Sequence, residues 1–338
     1  MQISFFEVED SYIRLDKAGD PLLNLNSMIR WDTLRPLLSP VSLAPGSQGG
    51  RPALDSLMMV KCLLLQSLYN ISDESCEYQI NDRLSFKRFI GLSVSDKAPD
   101  EKTIWLFRER LKHGGLHEKI FDWFSDEINS AGYVAQEGQI IDASFVPTHK
   151  PTGKHKKQLK EGIPLTSSQS AQIDADATFT KKNNTTHHGY KNHIQVDAKH
   201  KIIRKQKTTT ASVHDSQEFE SLIDEGGNSG VDVFADSAYR SAESEKMISE
   251  KKLVSQVHER AYRNKPLTNE QKASNKIKSR VRVRVEHVFG HMATSMGSLA
   301  VHTIGLARAE VKISFKNLAY NMHRFILFES RKMRDKCV

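Results

Sequence analysis

The chain has 338 residues, with 49 Lys and Arg against 41 Asp and Glu and a formal net charge of +8. A hydrophobic content of 38% supports a core and excludes a wholly disordered chain. No run of 18 apolar residues occurs, which excludes a membrane-spanning helix, and three cysteines (Cys62, Cys76, Cys337) exclude a disulfide framework.

The length fits about two domains. Met1–Glu7 has neither a basic region nor an apolar stretch of the secretory kind, and the cysteines read as reduced thiols, so a cytoplasmic protein is expected. Leu43–Gly50 is rich in Pro, Gly and Ser and reads as a loop. From Pro52 the spacing of Leu54, Leu57, Met58, Leu64, Leu65 and Leu68 predicts a helix. Ser72-Asp73-Glu74 opens a second, and Pro99-Asp100-Glu101 opens a third that stops at Gly114-Gly115. A fourth runs through Ile120, Phe121, Phe124 and Ile128 to Gly132, so residues 50–132 read as helical. The helix after Pro99 carries Lys102, Arg108 and Arg110 and could enter a major groove. It is read in preference as an ordinary amphipathic helix. Trp31, Trp105 and Trp123 read as core residues rather than stacking platforms.

After Gly132 the texture changes. Gln139–Val146 is a short β-like run, and Thr148–Thr186 is polar, basic and aperiodic, a long loop or insertion. Tyr190–Asp197 and Lys201–Thr210 alternate and read as paired strands. Val231–Asp236 and Lys252–Val257 are further strands. Helical spacing returns with Val311, Phe315, Leu318, Met322 and Phe325. Strands interspersed with helices predict an α/β domain over 133–330.

The charge is uneven. Pro147–Lys191 holds eight lysines against three acids, and His258–Glu286 holds nine Lys and Arg against three acids. Such clustering is the footprint of a polyanion partner, by default nucleic acid. Two acids stand where an acid is costly: Asp142 follows two isoleucines inside a strand, and Asp236 closes another. Glu286 ends the second basic segment. Acids at strand ends can hold divalent cations through oxygen. Two Mg²⁺ ions about 3.5–4 Å apart can then activate an attacking oxygen and stabilise a leaving one in phosphodiester cleavage. Asp215 is the chief rival of Asp236 as second ligand. His187, His188 and His193 lack a cysteine partner or zinc spacing.

These residues fall in a pattern. Gly50-Arg51-Pro52-Ala53, Ile141–Ser144, Gly189–His193, Val213–Gln217, Phe234–Tyr239 and Arg282–Gly290 occur in the order of bacterial insertion-sequence transposases of the DDE type, in the insertion sequence 5 family. The chain resembles that family from about 50 to 325. The resemblance implies a ribonuclease-H-like mixed-sheet catalytic domain over 133–330, with a basic insertion near 148–188. It implies an all-helical DNA-binding and dimerisation domain over 1–132. It also implies that Asp142, Asp236 and Glu286 bind Mg²⁺, with Mn²⁺ able to replace it. The partners are then double-stranded DNA of the element's terminal repeats and of the target, bound by a homodimer without any membrane. Strand cleavage at element ends precedes attack of the freed 3′-hydroxyl on target DNA.

Candidate DNA contacts are Lys150, Lys154, Lys156, Lys157, Lys181, Lys182, His187, Lys191 and His193 in and beside the insertion. Tyr239 and Arg240 follow the second acid, and Arg280, Arg282 and Arg284 precede the glutamate. Two positions depart from the family pattern: Ser279 stands where a Tyr is frequent and Ala293 where a Lys is frequent, while Arg282 is present. Alternating Val281, Val283 and Val285 suggest a strand. The resemblance places Glu286 on a helix instead, where Arg282, Glu286 and Phe289 share a face.

Overall fold

The computed structural model describes residues 5–41, 54–133, 137–182, 184–224, 230–262 and 265–336. The Leu43–Gly50 loop, the Gly50–Ala53 motif and Cys337 lie outside them. The chain forms two units, one of residues up to 131 with those from 314 onward, the other of residues 132–313. The expected second domain ran to 330, so its last stretch groups with the first unit instead.

The first unit begins with eight helices: α1 (Phe5–Lys17), α2 (Pro21–Met28), α3 (Arg35–Leu38), α4 (Ser56–Tyr69), α5 (Asp73–Asp82), α6 (Leu84–Ile90), α7 (Glu101–His113) and α8 (Leu116–Ser130). Their starts follow side-chain caps. Asp55 accepts from Leu57 N–H, Ser72 from Ser75 N–H and Asp100 from Thr103 N–H, each satisfying an orphan donor of a first turn. Helix α4 is apolar nearly all round and, apart from Met58, is buried from Ser56 to Gln66, as expected of a central helix.

The possible recognition helix is α7, and its Arg108 is buried rather than presented. Its guanidinium pairs with Asp73 and donates to Gln66 Oε1 at 3.2 Å. Of the tryptophans, Trp31 is core, 7% exposed and edge-on to Phe89. Trp105 is 44% exposed, contrary to the expectation, because Ile104, Phe107 and Leu111 form the buried face of α7. Cys62 and Cys76 are buried free thiols.

The second unit holds a six-stranded mixed sheet of β1 (Gln139–Pro147), β2 (Thr178–Lys182), β3 (Thr185–Asp197), β4 (Ile203–Thr210), β5 (Asp232–Phe234) and β6 (Val254–Ser255). Strands β1, β3, β4 and β2 are antiparallel about β3, while β5 and β6 run parallel beside β1. The order is β2-β3-β1-β5-β6, with β4 on β3. The stretch expected as a loop contains helices α9 (Gly153–Lys160) and α10 (Ser167–Ser170) as well as β2. Strand β2 has one large apolar residue, Phe179, so its alternation is hidden among Thr and Lys. Short helices α11 (Phe219–Leu222) and α12 (Ala242–Glu250) precede the long α13 (Asn269–Thr294) and α14 (Leu306–Lys336).

One face of β1 and β5 packs Ile141, Val233 and Ala235 with Phe219, Leu222, Tyr239, Ile248 and Val257. Helix α13 starts at a reciprocal cap between Thr268 and Gln271. Its buried residues are Val285, Val288 and Met292, spaced for a helix, and Val283 is 38% exposed. The valine alternation therefore belongs to a helix with one apolar stripe.

Candidate active site

Strand alternation sets the first acid. Ile141 is fully buried in the core on one face of β1, so Asp142 points to the other, opposite Ile194 of β3. Asp142 Oδ1 accepts from Ala143 N–H at 2.8 Å, and Oδ2 accepts from Arg282 Nη1 at 2.9 Å. Arg282 Nη2 donates to Glu286 Oε1 at 3.0 Å, one turn further along α13. A single guanidinium thus joins the acid of β1 to the acid of α13. Asp236 lies just past β5, where its Oδ1 accepts from Ala238 N–H at 2.7 Å and caps the turn Ser237–Tyr239.

Burial pushes the Asp142 carboxyl up to about 6. Arg282 and the Ala143 N–H pull it down, and the charge of Asp236 adds to the push. Asp236 is therefore felt at Asp142, and both are felt at the phenol of Tyr239. All the acids supply oxygen, which suits a hard divalent cation. Yet no group of three or more His, Cys, Asp or Glu among the described residues is gathered as a metal would need. Arg282 stands between Asp142 and Glu286, and its single positive charge offsets part of theirs.

The rival acid has another partner. Asp215 Oδ1 accepts from Lys191 Nζ at 2.7 Å, and Lys191 also donates to Val213 O at 2.6 Å. Both side chains are largely enclosed, 17% and 9% exposed. Removing one member of such a pair strands a buried charge. Asp215→Ala is expected to lower stability by about 3–5 kcal/mol, read as a fall in the urea unfolding midpoint. An unchanged midpoint contradicts the pairing.

The candidate DNA contacts divide by exposure. Lys150, Lys154, Lys157, Lys181, Lys182 and Arg280 are exposed, and Lys156 and His187 are part-exposed. Lys191 and His193 are buried, because β3 is flanked by β1 on one edge and β4 on the other. His193 Nε2 meets Thr209 Oγ1 at 2.8 Å, and burial lowers its pKa to about 4, so it stays neutral. Tyr239 is fully buried in the core beside Phe219, with its hydroxyl unpartnered among the described residues. It has no face for a base. Arg240 is drawn to Glu259 at 3.0 Å and to Val257 O at 2.9 Å, and Arg284 donates to Ala198 O. Hydropathy patterns miss such local neutralisation.

His258 was not anticipated. Its N–H donates to Ala235 O at 3.1 Å, next to Asp236, and its Nε2 meets Ser279 Oγ of α13 at 3.4 Å. Burial first, then the charge of Arg282, lowers its pKa. Its sole sequence signal is its place at the start of the second basic segment.

The family model for the transposase DDE domain matches residues 135–322. The chain belongs to the DDE transposase family. A second model, the transposase domain DUF772, matches residues 10–110, across most of the N-terminal helices. No solved structure matches the chain. The helices α1–α8 followed by the mixed sheet are thus the ribonuclease-H-like DDE fold with its helical extension. This transposase is of the nuclease and polynucleotidyl-transferase class. No helix among its described residues is long and apolar enough to cross a membrane.

Proposed function

We propose that this transposase is of the insertion sequence 5 type, cuts phosphodiester bonds at the ends of its element and joins the freed 3′-hydroxyl ends to target DNA. The observation that carries the reading is the Arg282 bridge between Asp142 and Glu286, which unites a strand acid and a helix acid in one site. The donor set fits Mg²⁺, with Mn²⁺ as substitute, and Asp142, Asp236 and Glu286 would hold it. Bound there, the ions would activate the attacking oxygen and offset charge on the leaving one.

The chain's own residues do the rest. Arg282 holds the Asp142 and Glu286 carboxylates together before metal arrives. Ala143 N–H and Ala238 N–H fix the carboxylates of Asp142 and Asp236. The exposed lysines of 150–182 bind the backbone, a contribution that weakens as salt rises. The helical N-terminal domain expected over 1–132 supplies end recognition and the dimer contact, and the protein works in the cytoplasm on nucleoid DNA.

A labelled element-end duplex, incubated with a target plasmid and Mg²⁺, tests this reading. The expected products are a cut end and a covalent joint to the target. Cutting without a joined product indicates a metal-dependent endonuclease instead. Binding without cutting under either metal indicates a DNA-binding protein derived from a transposase.

A further inference from the structure

Three residues beyond Asp142, β1 carries Phe145. Its ring lies parallel to that of His187 on β3, with centroids 4.1 Å apart and planes 7° from parallel. The two residues are not direct partners in the sheet: Phe145 opposes Lys191, and Gly189 opposes Pro147 between them. Gly189 has no side chain, and a Cβ there would lie 2.2 Å from Val146 O, so β1 and β3 approach closely beside the two rings. Both rings are part-exposed, unlike the buried Tyr239.

Charge completes the picture. Lys191 Nζ and Lys182 Nζ lie 5.4 and 5.8 Å from the centroid of the Phe145 ring. Lys191 is occupied by Asp215, but Lys182 is exposed, and its charge reaches Asp142. Lys181 is exposed on β2 next to it, and Lys150, exposed just past β1, donates from Nζ to Thr186 O at 3.4 Å. One face of Phe145 is covered by His187, so a further ring extends the stack beyond His187.

We infer that the Phe145–His187 pair is a stacking platform for an unpaired nucleobase of a DNA strand, with Lys182 beside it for the phosphate. An aromatic face accepts any base, and adjacent lysines hold the backbone of a single strand. The alternative role of the pair, packing over the glycine of the sheet, needs neither a part-exposed ring nor an exposed lysine beside it. The inference rests on the proposed DNA-cutting function, since a duplex opened for cutting presents such a base.

The test uses the full-length protein and a 12-nucleotide single strand carrying 2-aminopurine, beside a blunt duplex of the same sequence. Stacking quenches 2-aminopurine. Wild type is expected to quench the single strand. Phe145→Leu and His187→Ala are expected to lose the quench and to lower the ratio of single-strand to duplex affinity by about 5- to 150-fold. His187→Phe, which keeps a ring, is expected to retain the quench and guards against a folding artefact. A quench that survives in both Phe145→Leu and His187→Ala overturns the platform, as does its loss in His187→Phe with the fold intact. Strand cutting is measured in parallel on the wild type. A quench that depends on Phe145 and His187 in a protein that never cuts leaves the platform standing and removes the proposed cutting and joining. Cutting with a quench indifferent to the variants does the reverse.

Discussion

Asp142→Asn is expected to abolish strand cutting and to make the metal-free protein more stable at pH 8. The loss of activity follows from removing a carboxylate proposed to hold the metal. Several kcal/mol of transition-state stabilisation go with it, so the rate falls by about 1,000-fold or more. The gain in stability follows from burial. The Asp142 carboxyl is pushed up to about 6, while an unfolded aspartate ionises near 3.8. The folded chain therefore holds this proton more tightly than the unfolded one. Its contribution to stability is present below the unfolded value and is lost as pH rises through about 6. At pH 8 the ionised, enclosed carboxylate costs on the order of 3 kcal/mol, with the Arg282 bridge already offsetting part of the burial. Asparagine keeps the shape without the charge. Unfolding midpoints at pH 4 and pH 8 check this: wild type declines across the interval and the variant declines less. Equal declines contradict the account of Asp142, and full cutting by the variant removes it from the site.

The second large effect is structural. Gly189 has a φ of +142°, a region that other residues rarely enter, and an added Cβ would meet Val146 O at 2.2 Å and Thr148 N at 3.0 Å. Both contacts are backbone of the neighbouring strand, which cannot swing aside. Gly189→Ala is expected to cost roughly 3–5 kcal/mol, the sum of backbone strain and overpacking. It shifts β1 against β3, the pair that carries Asp142 and the Phe145–His187 stack. Chemical denaturation measures it directly, and a midpoint within about 0.5 kcal/mol of wild type contradicts the close approach.

These two residues also mark what the sequence makes legible. Asp142 stands out because strand alternation predicts an apolar or outward residue, and an acid after two isoleucines needs a reason. Paired β3 and β4 and the long final helix are legible for the same reason, a clear period. Helix α13 is harder, since its valines alternate while the packing obeys 3.6 residues per turn; only Val285 and Val288 of that stretch are buried. Strand β2 is illegible because pairing with β3, not hydropathy, makes it a strand. The basic residues mislead in another way. Lys191, Arg108, Arg240 and Arg284 count as positive charge in the sequence, but each is taken up by a carboxylate or carbonyl of its own unit. Phe145 and His187 lie far apart in the chain, so their stacking waits on the register of β1 and β3.

The measurement that bears most directly on the site is a metal-swap assay on the labelled duplex. Asp142→Cys, Asp236→Cys and Glu286→Cys are each assayed with Mg²⁺ and with Mn²⁺, because a thiolate is a poor ligand for Mg²⁺ and a better one for the softer ion. The account predicts cutting by none of the three with Mg²⁺ and recovery with Mn²⁺, while Asp215→Cys shows no such dependence on the metal. Full cutting with Mg²⁺ by any of the three, or a metal swap that rescues Asp215→Cys instead of Asp236→Cys, contradicts it.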